Sequence, residues 1–331
     1  MPSMTWEPSL AENRLNVEQE QRAGDPLVEH MLVIDDDIRS ILATALAEDR
    51  GTGDVTTMAT IAPDKIGSAR IVCKQTGVLC GSQLVVEVFK LVDPAVKVER
   101  WAKEGQTLSK GRTVFTLEGP MGSLLTGERV AVNFLSFLSG IATTTSEHVK
   151  AVRHTKVRIT DTRKTTPMLR RLEKYAVRVG GGVNHRMGLY DMILIKDNHI
   201  DSCGSILKAV EAARNRWGTQ YAIEVETRNL EEVQEAILAG VDRIMLDNMD
   251  IDTMAEAVRL IDGRVETEAS GGISLNTVSF VAETGVDYIS IGGLTHSTKW
   301  LDFTMLLDKE RTEAKNHMTL LGETIPPNGG Q

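Results

Sequence analysis

The stretch that decides the fold is ITDTRKTTPMLRRLEKYAVRVGGGVNHRMGLYDMILIKDNH, residues 159–199. It opens on a β-branched run that stops at Asp161-Thr162-Arg163-Lys164. A helix-like segment follows, and Gly180-Gly181-Gly182 then turns the chain into Asn184-His185-Arg186. A second apolar run, Met192 to Ile195, ends at Lys196-Asp197-Asn198-His199. Two buried-type strands joined through a helix make a βαβ unit, which puts both strands in one parallel sheet. Each strand delivers charged groups where it stops. Arg163, Lys164, His185, Arg186 and Lys196 gathered in one place suit a multiply anionic substrate.

The same alternation runs on toward the C-terminus. Strands are expected over Arg158–Thr162, Met192–Lys196, Ala222–Glu226, Arg243–Asp247, Glu266–Ser270 and Tyr288–Gly292. The helices expected between them include Ser205–Arg216, Leu230–Leu238, Ile251–Ile261 and Leu275–Thr284. The strands finish at Arg163-Lys164, Lys196-Asp197-Asn198, Glu224 and Glu226, Asp247-Asn248, Ser270-Gly271-Gly272, and Gly292-Gly293. In a (β/α) barrel those ends share the face on which active sites are built. Glycine pairs let backbone N–H groups approach a phosphate. Glu226 and Asp247 are hard oxygen donors suited to Mg²⁺. Cations for a polyanion, Mg²⁺ ligands and phosphate loops together point to phosphoribosyl or phosphoryl transfer. The P-loop pattern GxxxxGK[ST] is absent, which argues against a P-loop nucleotidase.

Working outward toward the N-terminus, Ile38, Ile41, Leu42, Ala45 and Leu46 recur at helical spacing within Ile34–Ala47. Strand-like runs at Ala69–Cys73, Val96–Trp101 and Thr113–Leu117, with a helix over Leu84–Leu91, predict a small α/β domain with an antiparallel sheet. Ser123–Val152 predicts a long helix between domains, apolar on more than one face and broken near Ser139-Gly140. Glu128 and Arg129 lie in its first half and read, as residues, like an ion pair. Leu301–Leu307 predicts a last strand or helix returning to the small domain. The expected organisation is a flexible extension over 1–28, the small domain over 29–145 with 298–308, a barrel over 146–297, and a flexible tail over 309–331.

A chain of 331 residues has room for such a pair of domains. No apolar run approaches the roughly 20 residues that span a bilayer, and residues 1–25 lack the apolar core of a signal peptide. Cys73, Cys80 and Cys203 are odd in number and lack metal-ligand spacing, so reduced thiols and a cytoplasmic setting are expected. A net charge of −9 argues against non-specific nucleic-acid binding, so the clustered cations are a local arrangement.

The sequence also resembles the quinolinate phosphoribosyltransferase family. The resemblance is carried by EDRGTGDVTT (48–57), GERVAVNFLSFLSGIATTT (127–145), DTRKTTPMLR (161–170), YAVRVGGGVNHRMGL (175–189), LIKDNH (194–199), IEVE (223–226), LDN (246–248), EASGGI (268–273) and GGLTHS (292–297). It implies an α/β fold: an N-terminal α/β sandwich plus an open, seven-stranded-type (β/α) barrel of the type II phosphoribosyltransferase kind, working as a homodimer or an assembly of dimers. It implies that quinolinate and phosphoribosyl pyrophosphate give nicotinate mononucleotide, pyrophosphate and CO₂ in NAD biosynthesis, with Mg²⁺.

By position, the resemblance assigns Arg163, His185, Arg186 and Lys196 to quinolinate, and Lys164 to both substrates. Glu226 and Asp247 would face the ribose and the metal, directly or through water, and with Lys164 would be the catalytic groups. Ser270, Gly271, Gly272, Gly292, Gly293 and His296 would hold phosphate. Arg129 would enter the partner subunit's site. Three departures from the family pattern stand out: Met168 where Gly is common, Ser136-Phe137 for a Gln-Arg pair, and Gly293 for Ala. Two rival readings are a Schiff-base aldolase using Lys164 or Lys196 and a non-catalytic phosphate-binding barrel. The second would be expected to have lost one of Lys164, Glu226 or Asp247, and all three are present.

Overall fold

The structure is a computed structural model, and it describes residues 32–308. The terminal extension and tail expected from the sequence lie outside the described residues.

Helix α1 (Asp36–Arg50) starts where the Asp35 carboxylate accepts the Ile38 N–H at 3.1 Å, and it buries Ile38, Leu42 and Leu46 four residues apart. The short α2 (Val55–Thr60) is capped in the same way by Asp54. Strands β1 (Ile66–Cys73), β3 (Lys97–Arg100) and β5 (Thr113–Pro120) join a late strand, β12 (Phe303–Leu307), in an antiparallel sheet of order β12-β1-β5-β3. A separate two-stranded ribbon pairs β2 (Gly77–Val78) with β4 (Thr107–Leu108). Helix α3 (Ser82–Val92) contributes Leu84, Val85, Val88 and Phe89 to this domain's core. Its first N–H groups lack a side-chain cap of their own, and Glu104 serves instead, accepting from Gly81 N at 2.6 Å and Ser82 N at 3.0 Å.

Helix α4 (Met121–Val152) runs unbroken for 32 residues, against the expected break at Ser139-Gly140. Gly140 serves packing instead. A Cβ there would collide with the Lys299 carbonyl oxygen and stand 3.0 Å from the Trp300 Cα. Phe137 meets Trp300 ring to ring at 5.7 Å, which gives the Ser136-Phe137 departure a structural role.

The barrel strands are β6 (Arg158–Thr160), β7 (Ile193–Ile195), β8 (Ile223–Thr227), β9 (Arg243–Asp247), β10 (Glu266–Ser270) and β11 (Tyr288–Ser290). They form one parallel sheet of order β6-β11-β10-β9-β8-β7. Val183 adds a single parallel bridge to Thr160, so the seventh position is one residue long and the barrel is open beside it. The connecting helices are α5 (Arg170–Val179), α6 (Asp197–Cys203), α7 (Ile206–Trp217), α8 (Leu230–Ala239), α9 (Ile251–Ile261), α10 (Val278–Glu283) and the one-turn α11 (Gly293–His296). Ser205, Asn229 and Asp250 cap α7, α8 and α9. Helix α10 begins three residues later than expected, because Ser274 and Thr277 close a turn first: Thr277 N donates to Ser274 O at 3.0 Å, and Ser274 N to Thr277 Oγ1 at 3.0 Å. Thr162 and Gly292, expected as strand ends, have left the ladder and belong to the mouth loops. Among the described residues no helix is long and apolar enough to cross a membrane.

Alternate strand residues share a face, and here the polar ones do: Arg158, Arg243, Glu224, Glu266, Glu268 and Tyr288. At the amino ends of the strands, Arg243 binds Glu266 at 2.8 Å. The Tyr288 ring lies under the guanidinium carbons of Arg158 and Arg243, at 4.1 and 3.9 Å. That end of the barrel is filled by charge pairs, which leaves the carboxyl end as the mouth.

Candidate active site

The mouth is built on a buried frame. Asp161, just past β6, is fully buried, and its carboxylate accepts from the Lys174 ammonium, from Asn184 Nδ2 at 2.5 Å and from His185 N at 3.0 Å. Lys174, equally buried on α5, also donates to His185 O at 2.9 Å. Burial raises the Asp161 carboxyl and lowers the Lys174 ammonium, and each opposes the other's shift. Removing either would leave an unpaired buried charge, which costs about 3–5 kcal/mol. This pair holds residues 184–186 against α5 and the end of β6.

On that frame the cations converge. Arg170 ties two loops together, donating from Nε to Thr165 Oγ1 at 2.9 Å and from Nη1 to Met187 O at 3.1 Å. Arg186 donates from Nη1 to Met192 O at 3.2 Å. Burial, and then the charge of nearby Arg163, lower the Arg186 guanidinium from its ordinary value. Arg163 Nε is buried without a hydrogen-bond partner. Two half-buried guanidiniums beside each other, one with an unmet donor, are suited to an anion. Lys164 is exposed and, among the described residues, makes no ion pair. Its stem and the His296 ring flank Gly292, at 3.0 and 3.2 Å from where a Cβ would stand. Thr295 Oγ1 donates to the Lys164 carbonyl at 2.7 Å and locks the two loops together.

The acids stand on adjacent strands. Glu226 on β8 holds the Lys196 ammonium at 2.5 Å. Asp247 ends β9, level with Ser270 on β10, and accepts from Asn248 Nδ2 at 2.8 Å. Among the described residues each carboxylate keeps one oxygen without a protein partner. Two such oxygens suit Mg²⁺, which takes few carboxylates and completes its octahedron with water and phosphate.

His185 is placed apart from the other cations. Its side chain is 5% exposed, and Nε2 stands 3.1 Å from Glu224 Oε2 and 3.6 Å from Glu268 Oε1, off the line of a hydrogen bond to either. Nδ1 accepts the Arg186 N–H at 2.7 Å, so in the neutral ring the proton sits on Nε2. Burial lowers the imidazole's pKa, and it pushes Glu224 and Glu268 each up to about 7. Among the described residues this is the one group of three potential metal ligands lying within 4.8 Å of one another. The occupied Nδ1 leaves Nε2 a donor, which makes the group a proton-sharing cluster rather than a metal cage.

Arg129 is also apart, exposed on the first half of α4 and without an ion pair among the described residues. Around it α4 packs on the small domain, with Gly127 against Phe89. Further along the same helix, Ala142 lies against Gly180 of the barrel. Thirteen residues of helix separate Arg129 from that contact, about 20 Å at 1.5 Å per residue.

Several working parts carried no signal of their own in the sequence. Lys174 is a fully buried charge marked only by its contact with Asp161, which opens the DTRK strand end without announcing its own burial. Glu268 lies within the EASGGI motif, and Asn248 within LDN, but neither has a spacing that announces a role. Met168 adopts φ 70°, the left-handed conformation in which Gly is most at ease, with an 81% exposed side chain. The family's preference for Gly there thus has a backbone reason.

Comparison with known proteins agrees with this geometry. Models of the quinolinate phosphoribosyl transferase N-terminal and C-terminal domains match residues 54–139 and 141–306. A probable nicotinate-nucleotide pyrophosphorylase [carboxylating] of Bacillus subtilis is 48% identical over 268 residues, 81% of this chain and 92% of that protein. The chloroplastic nicotinate-nucleotide pyrophosphorylase of Arabidopsis thaliana is 43% identical over 293 residues, 83% of this chain and 84% of that one. Among solved structures, NadC from Streptococcus pyogenes superposes with a TM-score of 0.81 at 43% identity, covering 84% of this chain and 99% of that one. With both domain models matched in order and the mouth assembled as described, the chain belongs to the quinolinate phosphoribosyltransferase family.

Proposed function

We propose that this protein is the quinolinate phosphoribosyltransferase of NAD biosynthesis, converting quinolinate and phosphoribosyl pyrophosphate to nicotinate mononucleotide, pyrophosphate and CO₂. The observation that carries this reading is the mouth's division of charge within one family-matched barrel. Arg163 and Arg186 face an anion site on one side, and Glu226 and Asp247 stand on neighbouring strands on the other.

The residues divide the work accordingly. Arg163, Arg186 and Lys196 hold the two carboxylates of quinolinate, and their fixed geometry aims the pyridine nitrogen at C1′. Lys164, between that site and Gly292, neutralises the pyrophosphate as it leaves. Ser270, Gly271, Gly272, Gly292, Gly293 and His296 bind phosphate. Departure of pyrophosphate builds oxocarbenium character at C1′, which Glu226 and Asp247 stabilise. Mg²⁺ bound at Glu226 and Asp247, directly or through water, supplies charge neutralisation for the phosphates. The N-glycosylated ring is cationic and stabilises the electron pair left at C2 when the 2-carboxylate departs as CO₂, and C2 then takes a proton from water. His185, with both ring nitrogens turned to protein groups, shapes the quinolinate pocket through the Arg186 N–H it accepts.

The reading extends to a dimer in which Arg129 completes the partner subunit's site. Support comes from the place of Arg129, exposed on the part of α4 that packs on the small domain, with Gly127 against Phe89. A reducing, cytoplasmic setting fits the three unpaired cysteines. The direct test is purified protein with quinolinate, phosphoribosyl pyrophosphate and Mg²⁺. Nicotinate mononucleotide and CO₂ should form in equal amounts, and EDTA should stop the reaction until Mg²⁺ is restored. A comparable kcat/KM with nicotinate in place of quinolinate would overturn the substrate assignment.

A further inference from the structure

We infer that Asn248 is the positioning residue that locks the ribose-facing acid Asp247 to the Ser270-Gly271-Gly272 anion loop, so that the two act as one piece. The inference rests on the proposed function for the identity of the ligand, and on geometry for the rest.

Asn248 follows β9 directly and adopts φ 55°, one of three non-glycine residues with positive φ among those described. Asn tolerates this region better than most side chains, though not as freely as Gly. From there it makes three contacts in three directions. Its backbone N–H donates to Ser270 O at 2.9 Å, extending the β9–β10 pairing one step past the strands. Its Nδ2 donates to Asp247 Oδ2 at 2.8 Å, and since an ionised carboxylate only accepts, this fixes which amide atom points there. Its amide plane then lies against Gly271, where an added Cβ would collide with Oδ1 and stand 2.5 Å from Cγ. Gly271 itself has φ 98°. Each residue therefore requires the other: the loop needs a glycine to admit the amide, and the amide holds the loop at one distance from the acid.

The chemical consequence follows from what the two parts bind. Asp247 faces the ribosyl carbon, and the loop offers backbone N–H groups to a phosphate of the same molecule. A phosphoribosyl pyrophosphate held at both points is held rigidly only if the points are fixed relative to each other. Asn248 supplies that link and touches no part of the quinolinate site described above.

Asn248→Gly tests this cleanly, because Gly keeps the left-handed backbone accessible and removes only the amide. Binding is measured by calorimetry for phosphoribosyl pyrophosphate with Mg²⁺ and, separately, for quinolinate, alongside steady-state kinetics and Tm. The variant should bind phosphoribosyl pyrophosphate at least tenfold more weakly and lose kcat by a similar factor. Its quinolinate Kd should stay within twofold of wild type, with Tm little changed. Asn248→Asp, nearly isosteric, keeps the cover over Gly271 but sets a carboxylate against Asp247. It should weaken phosphoribosyl pyrophosphate binding as Asn248→Gly does, because the donor to Asp247 is lost while the shape is kept, an effect a space-filling role would not produce. Unchanged phosphoribosyl pyrophosphate binding in Asn248→Gly would overturn the inference, and so would equal loss of both ligands with a fallen Tm. A wild-type protein that bound phosphoribosyl pyrophosphate but made no product would sink the proposed reaction and leave this test standing.

Discussion

Glu226→Gln should make the protein bind quinolinate more tightly while nearly abolishing its activity. Before any ligand arrives, Lys196 is paired with Glu226 at 2.5 Å, so a quinolinate carboxylate must take the ammonium from its partner. Lys196 is 45% exposed and Glu226 13%, so the pair sits between a surface ion pair and a buried one. Discounted for that exposure, its strength is about 1 kcal/mol. Glutamine keeps the shape and removes the competing charge, so quinolinate affinity should rise about fivefold. Meanwhile kcat should fall by about 10² or more, as when an electrostatic stabiliser of a transition state is removed. The assay is calorimetric titration with quinolinate alone, repeated in a Lys196→Met background where the gain should shrink because no ammonium remains to be released. Unchanged or weaker quinolinate binding in Glu226→Gln would refute the reasoning, since it would mean that the two side chains do not compete.

Three further outcomes are expected. Arg129→Ala and Lys164→Ala should each be folded, dimeric and nearly inactive, and mixing them with subunit exchange should recover about a quarter of wild-type activity; no recovery despite exchange would put Arg129 in its own subunit's site or in none. Glu268→Gln should gain stability over wild type as pH rises. The Glu268 carboxyl is raised from its ordinary 4.5 to about 7 by burial and then by Glu224, so its contribution is present below the lower value and lost through the upper one; urea midpoints at pH 5 and pH 8 that differ equally in both proteins would count against it. Met168→Gly should raise the unfolding free energy, read from denaturant titration, by about 0.5–1 kcal/mol, the relief of left-handed strain less glycine's extra freedom when unfolded; a loss would show that the exposed Met168 side chain makes a stabilising contact.

What could be read from the sequence was whatever repeats or stands alone. The strands Arg243–Asp247 and Glu266–Ser270 and the helix Ile251–Ile261 were legible to the residue, because period and caps are local. The placing of Lys196, Glu226 and Asp247 at the carboxyl ends of their strands was legible because a parallel strand displays its last residues, whereas Lys164 stands four residues past β6. Gly140 misled, because a helical glycine signals a break and a tight backbone approach equally well, and only the Lys299-Trp300 segment decides between them. The Lys174–Asp161 pair and the Glu224–Glu268–His185 cluster were illegible for a related reason. A charge reads as exposed until its buried partner is known, and those partners are 13 to 83 positions away in the chain.

The antiparallel sheet has one more consequence, which concerns the order of events as the chain is made. β1 is an inner strand, flanked by β5 from the same region and by β12, with Ala69 opposite Leu307. Until β12 emerges from the ribosome, after every barrel strand, β1 presents an open edge from Ala69 to Cys73. An open edge is a template for a wrong strand, whether from the same chain or a neighbour. The small domain is thus first to be synthesised and last to be sealed. Its native closure needs a contact spanning more than two hundred residues, the kind that slows folding. A chain stopped just before Phe303 would hold every acid and cation of the mouth and still carry that unsealed edge.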